Sequence, residues 1–232
     1  MLHVINYLPA MLPFVKLLPL VWKLNEVWHE EGISGVLLRI QRYANRSSKP
    51  DAFDLAHGTE TSVMVDMWHL DVGGPNVRTA VKYQPVNPDV LKLAFQAIPD
   101  GALRFPFIDV GCGKGRALIL AHEAGFKRLV GVDFSKELLE TAKKNINTCK
   151  VTADLHCCDA EAFRFPQEPC VVYFYNPFGT KLISRVASRI PSMSYIVYAN
   201  PRHRSAFSQF ASLLDRPFLF VGHRGHEVSS VH

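Results

Sequence analysis

The 232-residue sequence predicts an α/β fold, a mostly parallel sheet with helices on both faces. Three observations predict it. From Phe105 onward, apolar β-rich runs alternate with helix-like segments, the pattern of strand–helix–strand units. The first run leads into a glycine-rich turn, Asp109-Val-Gly-Cys-Gly-Lys-Gly115, that opens a helix. The next two runs end on acids, Asp133 and Asp159, at the sheet edge where open α/β sheets bind ligands.

The expected strands are 105–110, 128–133, 151–156, 170–175 and 193–199. The expected helices are 116–123, 135–147, 180–189 and 201–214. In the second helix Ser135 suits the N-cap and Glu137 the positive end of the dipole, while Leu138, Ala142 and Ile146 share one face. Segments 218–221 and 227–231 read as two further strands, a terminal hairpin around His223-Arg-Gly-His226 that brings the sheet to seven. His203 and His226 read as solvated tail residues rather than general bases.

Composition narrows the class. An apolar fraction of 48% with 20% charged residues is that of a globular chain. The net charge of +5 suits an anionic partner, but no Lys/Arg stripe interleaved with aromatics accompanies it, so nucleic acid is not expected. Five cysteines, an odd number without a CxxC pair, argue against a disulfide framework and a structural zinc. No metal site is expected, and a reducing cytoplasm is the expected compartment.

Three regions are expected. Residues 1–50 form a hydrophobic and basic helical extension, 51–104 a covering segment on the substrate side, and 105–232 the core. Residues 8–22 are strongly apolar but carry Pro9, Pro13, Pro19 and Lys16, unlike the roughly 20 unbroken apolar residues of a membrane span. Nor is there the basic start and small-residue cleavage site of a signal peptide. Two readings stay open: an arm packed on the domain or a second subunit, which is favoured, or a peripheral membrane contact beside Arg39, Arg42, Arg46 and Lys49. In the covering segment, His57-Gly58 and Gly73-Gly74-Pro75 are loop signals flanking a Trp- and Met-rich stretch.

The turn's chemistry is specific. A dinucleotide fingerprint places its third glycine at the sixth position, and counting from Gly111 that position is Arg116. The spacing is D-x-G-x-G-x-G instead, with Gly111, Gly113 and Gly115 letting a ligand approach the backbone. Asp109 repels a pyrophosphate and suits a cation. Asp133 lies about 20 residues beyond the loop, where such folds grip ribose hydroxyls. Asp159 with Ala160 lies where an acid accepts a bond from an adenine amino group. S-adenosyl-L-methionine, cationic and free of phosphate, meets all three conditions.

The fourth strand runs into Asn176-Pro177-Phe178 at the same edge. The Asn176 amide and the Pro177 carbonyl are acceptors for a substrate amine, and Phe178 is suited to flank its nitrogen. Asn176 is thus a candidate on both the cofactor and the catalytic side. As a helix cap followed by a first-turn proline, the same residues also have a purely structural reading.

Together these residues resemble the class I Rossmann-like S-adenosylmethionine-dependent methyltransferases. Asn176 to Phe178 is similar to the (D/N)PP(F/Y) motif of amino-group methyltransferases, with one proline in place of two. His57-Gly-Thr-Glu-Thr61 and Tyr83-Gln-Pro85 narrow the likeness to an uncharacterised bacterial family distantly similar to non-SET histone-lysine methyltransferases. The resemblance spans roughly residues 50–225. It implies methyl transfer to a nitrogen nucleophile, a protein lysine or a small amine, with Tyr83 over the cofactor and Glu60 or Thr61 near its methionine end. A second reading is a cofactor-binding module without catalysis, recruited to a membrane or partner by the N-terminal arm.

Overall fold

A computed structural model describes residues 49–63, 83–175 and 179–225 of the chain. The N-terminal extension through Ser48, the glycine-rich part of the covering segment, Asn176 to Phe178 and the last seven residues lie outside the described residues. So, therefore, do the expectations for those stretches.

The sheet has seven strands: β1 (Phe107–Val110), β2 (Leu129–Asp133), β3 (Asp154–Cys157), β4 (Val171–Tyr175), β5 (Tyr195–Ala199), β6 (Ala211–Arg216) and β7 (Leu219–His223). Their order is β3-β2-β1-β4-β5-β7-β6. The first five are parallel, β7 is antiparallel to β5, and β6 closes the far edge antiparallel to β7. The chain winds outward from β1 through β2 to β3, then returns to β4 on the other side of β1. That reversal opens a crevice at the carboxyl ends of β1 and β4.

Strands buried on both faces read as continuous apolar runs, and Val171 to Phe174 is such a run, each residue at most 2% exposed. Alternate side chains serve opposite faces. Phe107, Leu129, Val171, Tyr173 and Val197 pack with α2 (Pro88–Ala97) and α3 (Arg116–Glu123). Ile108, Val132, Val172, Phe174 and Ile196 pack with α5 (Thr180–Ser188) and Phe207. Helix α2 starts with Pro88, whose missing N–H costs nothing there, and the Asn87 side chain accepts the Asp89 N–H. Helix α4 (Lys136–Thr148) is capped as the sequence predicts, the Ser135 hydroxyl accepting the Leu138 N–H at 3.2 Å. A short first helix, α1 (Ala52–His57), is capped by Asp51 and ended by Gly58 at φ 65°.

One expectation is overturned. Segment 201–214 is not a helix: a single 3-10 turn, Arg204–Phe207, is followed by β6. The hairpin accordingly sits one strand earlier, turning at Pro217-Phe218. A bulge between Ser212 and Leu214 breaks the register and leaves Leu213 45% exposed, so the strand lacks the plain alternation that would announce it. Pairing with β7 outweighs the local pattern, as is common for strand sequences.

Candidate cofactor site

The glycine loop starts from the β1 end and is pinned to β2: the Gly111 and Cys112 N–H groups both donate to the Val132 carbonyl, at 2.8 and 3.0 Å. Gly111, Gly113 and Gly115 have φ of 86°, 51° and 84°, a left-handed path that only glycine follows without strain. Gly113 also has no room for a side chain. A Cβ there would lie 2.2 Å from Tyr83 Cδ2. Tyr83 therefore covers the loop, and its hydroxyl donates to the Thr61 carbonyl at 2.7 Å.

The acids flank this loop. Asp133 ends β2 and is 6% exposed. Its Oδ2 accepts the Gly113 N–H and its Oδ1 the Ser135 N–H, each at 2.9 Å. Burial raises its pKa to about 6, and those N–H groups, with that of Phe134, hold it from rising further. Asp109, one strand over and 2% exposed, is pushed well above the usual carboxylate range by burial and then by the charge of Asp133. No hydrogen bond from the described residues offsets that push. Asp159 lies just beyond β3, where its Oδ1 accepts the Glu161 N–H and its carbonyl accepts from Ala162 and Phe163. Ala160 beside it is 5% exposed, packed in the opposite cluster.

The segment His57 to Thr61 clamps the loop rather than reaching into it. Thr61 is fully buried; its hydroxyl donates to Asp54 at 2.6 Å and accepts from Arg116 Nε at 2.7 Å. Arg116, the residue that breaks the dinucleotide pattern, is 4% exposed. It also donates to Asp51 and to the Val86 carbonyl, and lies over the Phe53 ring at 4.6 Å. Burial pushes the Asp54 carboxyl up, but donors from Ser62, Thr61 and Thr59 outweigh it and hold the group well below its usual range. Glu60 pairs with Lys114 inside the loop at 2.9 Å, and Asn145 on α4 ties both, accepting the Glu60 N–H and donating to the Lys114 carbonyl. Sequence reasoning found the His57–Thr61 motif but missed this use of it; the repeated short polar residues beside Asp54 were the available signal.

A cavity of about 430 Å³ opens elsewhere, near the amino ends of β1 to β3 around Lys127, Arg164 and Glu168, and takes no part in this site. Among the described residues no helix is long and apolar enough to cross a membrane.

The residues present fit the expected cofactor. Buried carboxyl groups at 109 and 133 beside the loop are acceptors for ammonium and hydroxyl donors, both of which S-adenosylmethionine carries. The fold and the loop spacing are similar to those of class I S-adenosylmethionine-dependent methyltransferases. Residues 107–187 match the family described as "Methyltransferase domain". An uncharacterised protein of Methanocaldococcus jannaschii is 42% identical over 52 residues, 22% of this chain and 24% of that protein. The match thus spans about a quarter of the curated relative's length. Among solved structures, the chain is similar to a ribosomal protein L11 methylase of Lactobacillus delbrueckii subsp. bulgaricus, with 18% identity, a TM-score of 0.47, and 59% of this chain and 78% of that one covered. It is also similar to a putative RNA methyltransferase of Pyrococcus horikoshii, with 16% identity, a TM-score of 0.44, and 60% and 82% covered.

Proposed function

We propose that the whole chain transfers the methyl group of S-adenosylmethionine to a nitrogen nucleophile, a lysine side chain or a small amine. The observation that carries the cofactor half is the placement of Asp109 and Asp133 around the loop of Gly111, Gly113 and Gly115 at the point where the sheet reverses direction. In this reading Asp109 takes the ammonium end of the cofactor and Asp133 its ribose hydroxyls. Asp159 and Ala160 border the adenine, and Tyr83 closes over the loop. Bound S-adenosylmethionine supplies an electrophilic methyl group on a sulfonium.

The nitrogen half is supported by sequence position. Asn176, Pro177 and Phe178 follow Tyr175, the last residue of β4, and β4 borders β1 at the crevice. Methyl transfer depends chiefly on in-line placement, which two carbonyl acceptors and an aromatic wall are suited to give an amine. The test is a labelled-methyl screen of cell extract split into protein, RNA, lipid and small molecules, followed by Asn176→Ala on the acceptor found. The variant is expected to keep its affinity for S-adenosylhomocysteine and lose at least a hundredfold in kcat. Full turnover in the variant would remove Asn176 from the mechanism, and labelling of oxygen or carbon would remove the nitrogen reading.

A further inference from the structure

Tyr173 has the one buried side-chain polar atom among the described residues without a hydrogen-bond partner, its hydroxyl. Leaving a buried hydroxyl unpaired costs its full hydration, so such a group signals a missing partner. The ring itself is well held: it stacks on Phe107 with centroids 6.1 Å apart and 20° between planes. Tyr173 stands directly opposite Asp109 in the β1–β4 register, on the same face of the sheet. Asp109, Tyr175 and Tyr83 all lie near enough to its hydroxyl to act on it electrostatically, and Tyr83 is the residue that covers the loop.

A buried carboxyl and an unpartnered buried hydroxyl that both donates and accepts thus stand side by side on neighbouring strands. The complement of such a pair is the zwitterionic end of an amino acid. We propose that the Tyr173 hydroxyl is a binding contact for the methionine end of the cofactor, sharing it with Asp109. This rests on the assignment of Asp109 to the ammonium group made above. The strand register delivers the contact from the middle of the sheet, below the glycine loop.

Calorimetry on the full chain tests it with two probes: S-adenosylhomocysteine, and 5′-methylthioadenosine, which keeps the adenosine and sulfur but lacks the amino and carboxyl groups. Tyr173→Phe removes only the hydroxyl and keeps the stack on Phe107. The variant is expected to bind S-adenosylhomocysteine about tenfold more weakly, as for one lost bond to a charged group. It should bind methylthioadenosine within twofold of the parent, and the ligand-free protein should melt no lower. Asp109→Asn, which swaps an already disfavoured charge for an isosteric amide, is run alongside. If Asp109→Asn weakens S-adenosylhomocysteine and Tyr173→Phe does not, the Tyr173 contact is overturned and the Asp109 assignment stands. If only Tyr173→Phe weakens it, the contact stands and the Asp109 assignment falls. Equal weakening of both probes by Tyr173→Phe, with a lower melting point, makes the hydroxyl structural and overturns the proposal.

Discussion

Gly113→Ala should destabilise the protein through Tyr83, and the size of the effect can be built from its parts. The backbone at φ 51° places an L-residue in the left-handed region, which costs about 1 kcal/mol. The new Cβ would lie 2.2 and 2.3 Å from Tyr83 Cδ2 and Cε2, more than 1 Å inside normal contact, so the ring has to leave. With it goes the bond from the Tyr83 hydroxyl to the Thr61 carbonyl, worth about 1 kcal/mol. The packing of the ring on the loop is worth at least about 1 kcal/mol more. The expected total is about 3 kcal/mol, read from urea unfolding. In a Tyr83→Ala background the collision is absent, and Gly113→Ala should cost only the backbone share, about 1 kcal/mol. The coupling of about 2 kcal/mol is the quantity that isolates the contact. An equal cost for Gly113→Ala in both backgrounds would refute the claim that Tyr83 covers the loop.

Three further outcomes follow from the same geometry. Arg116→Met leaves Asp51, Asp54 and Thr61 without their buried cation and should cost about 3 kcal/mol in urea unfolding, as for other broken buried pairs; a loss under about 1 kcal/mol would show the clamp to be ornamental. Asp133 has a folded pKa of about 6 against 3.8 for the free group, so the native state binds the proton more tightly and its contribution to stability falls as pH rises from about 4 to about 6. The parent should therefore lose on the order of 3 kcal/mol across that window relative to Asp133→Asn, and parallel profiles for the two proteins would contradict it. Asp109 holds its proton well above the usual range in the free protein and must release it to receive an ammonium group. Affinity for S-adenosylhomocysteine should then rise with pH, with proton release visible as different calorimetric heats in two buffers of unlike ionisation enthalpy; identical heats would exclude it.

Much of the core was legible in the chain because its signals are local. Helix 116–123 has the ends expected for it, and α4 starts one residue after its predicted cap, since Ser135 and the spacing of Leu138, Ala142 and Ile146 act within a few turns. The D-x-G-x-G-x-G turn announced itself by glycines that the backbone needs at positive φ. Segment 201–214 misled because a β-bulge and a partner strand, neither visible in a window of ten residues, decide its form.

The site divides along the same line. Residue types and spacing alone picked out the loop and the candidate acids at 109, 133 and 159, because each depends on where a strand ends and a helix begins. Tertiary structure alone decided what those residues touch. Arg116 meets Thr61 across 55 positions and Asp51 across 65, Gly113 is sealed by Tyr83, and Tyr173 stands opposite Asp109 with an unpaired hydroxyl. The last of these is set by the register of a parallel sheet and the others by segment 51–61 and Tyr83 packing on the loop; both follow from burying distant segments together rather than from any one segment.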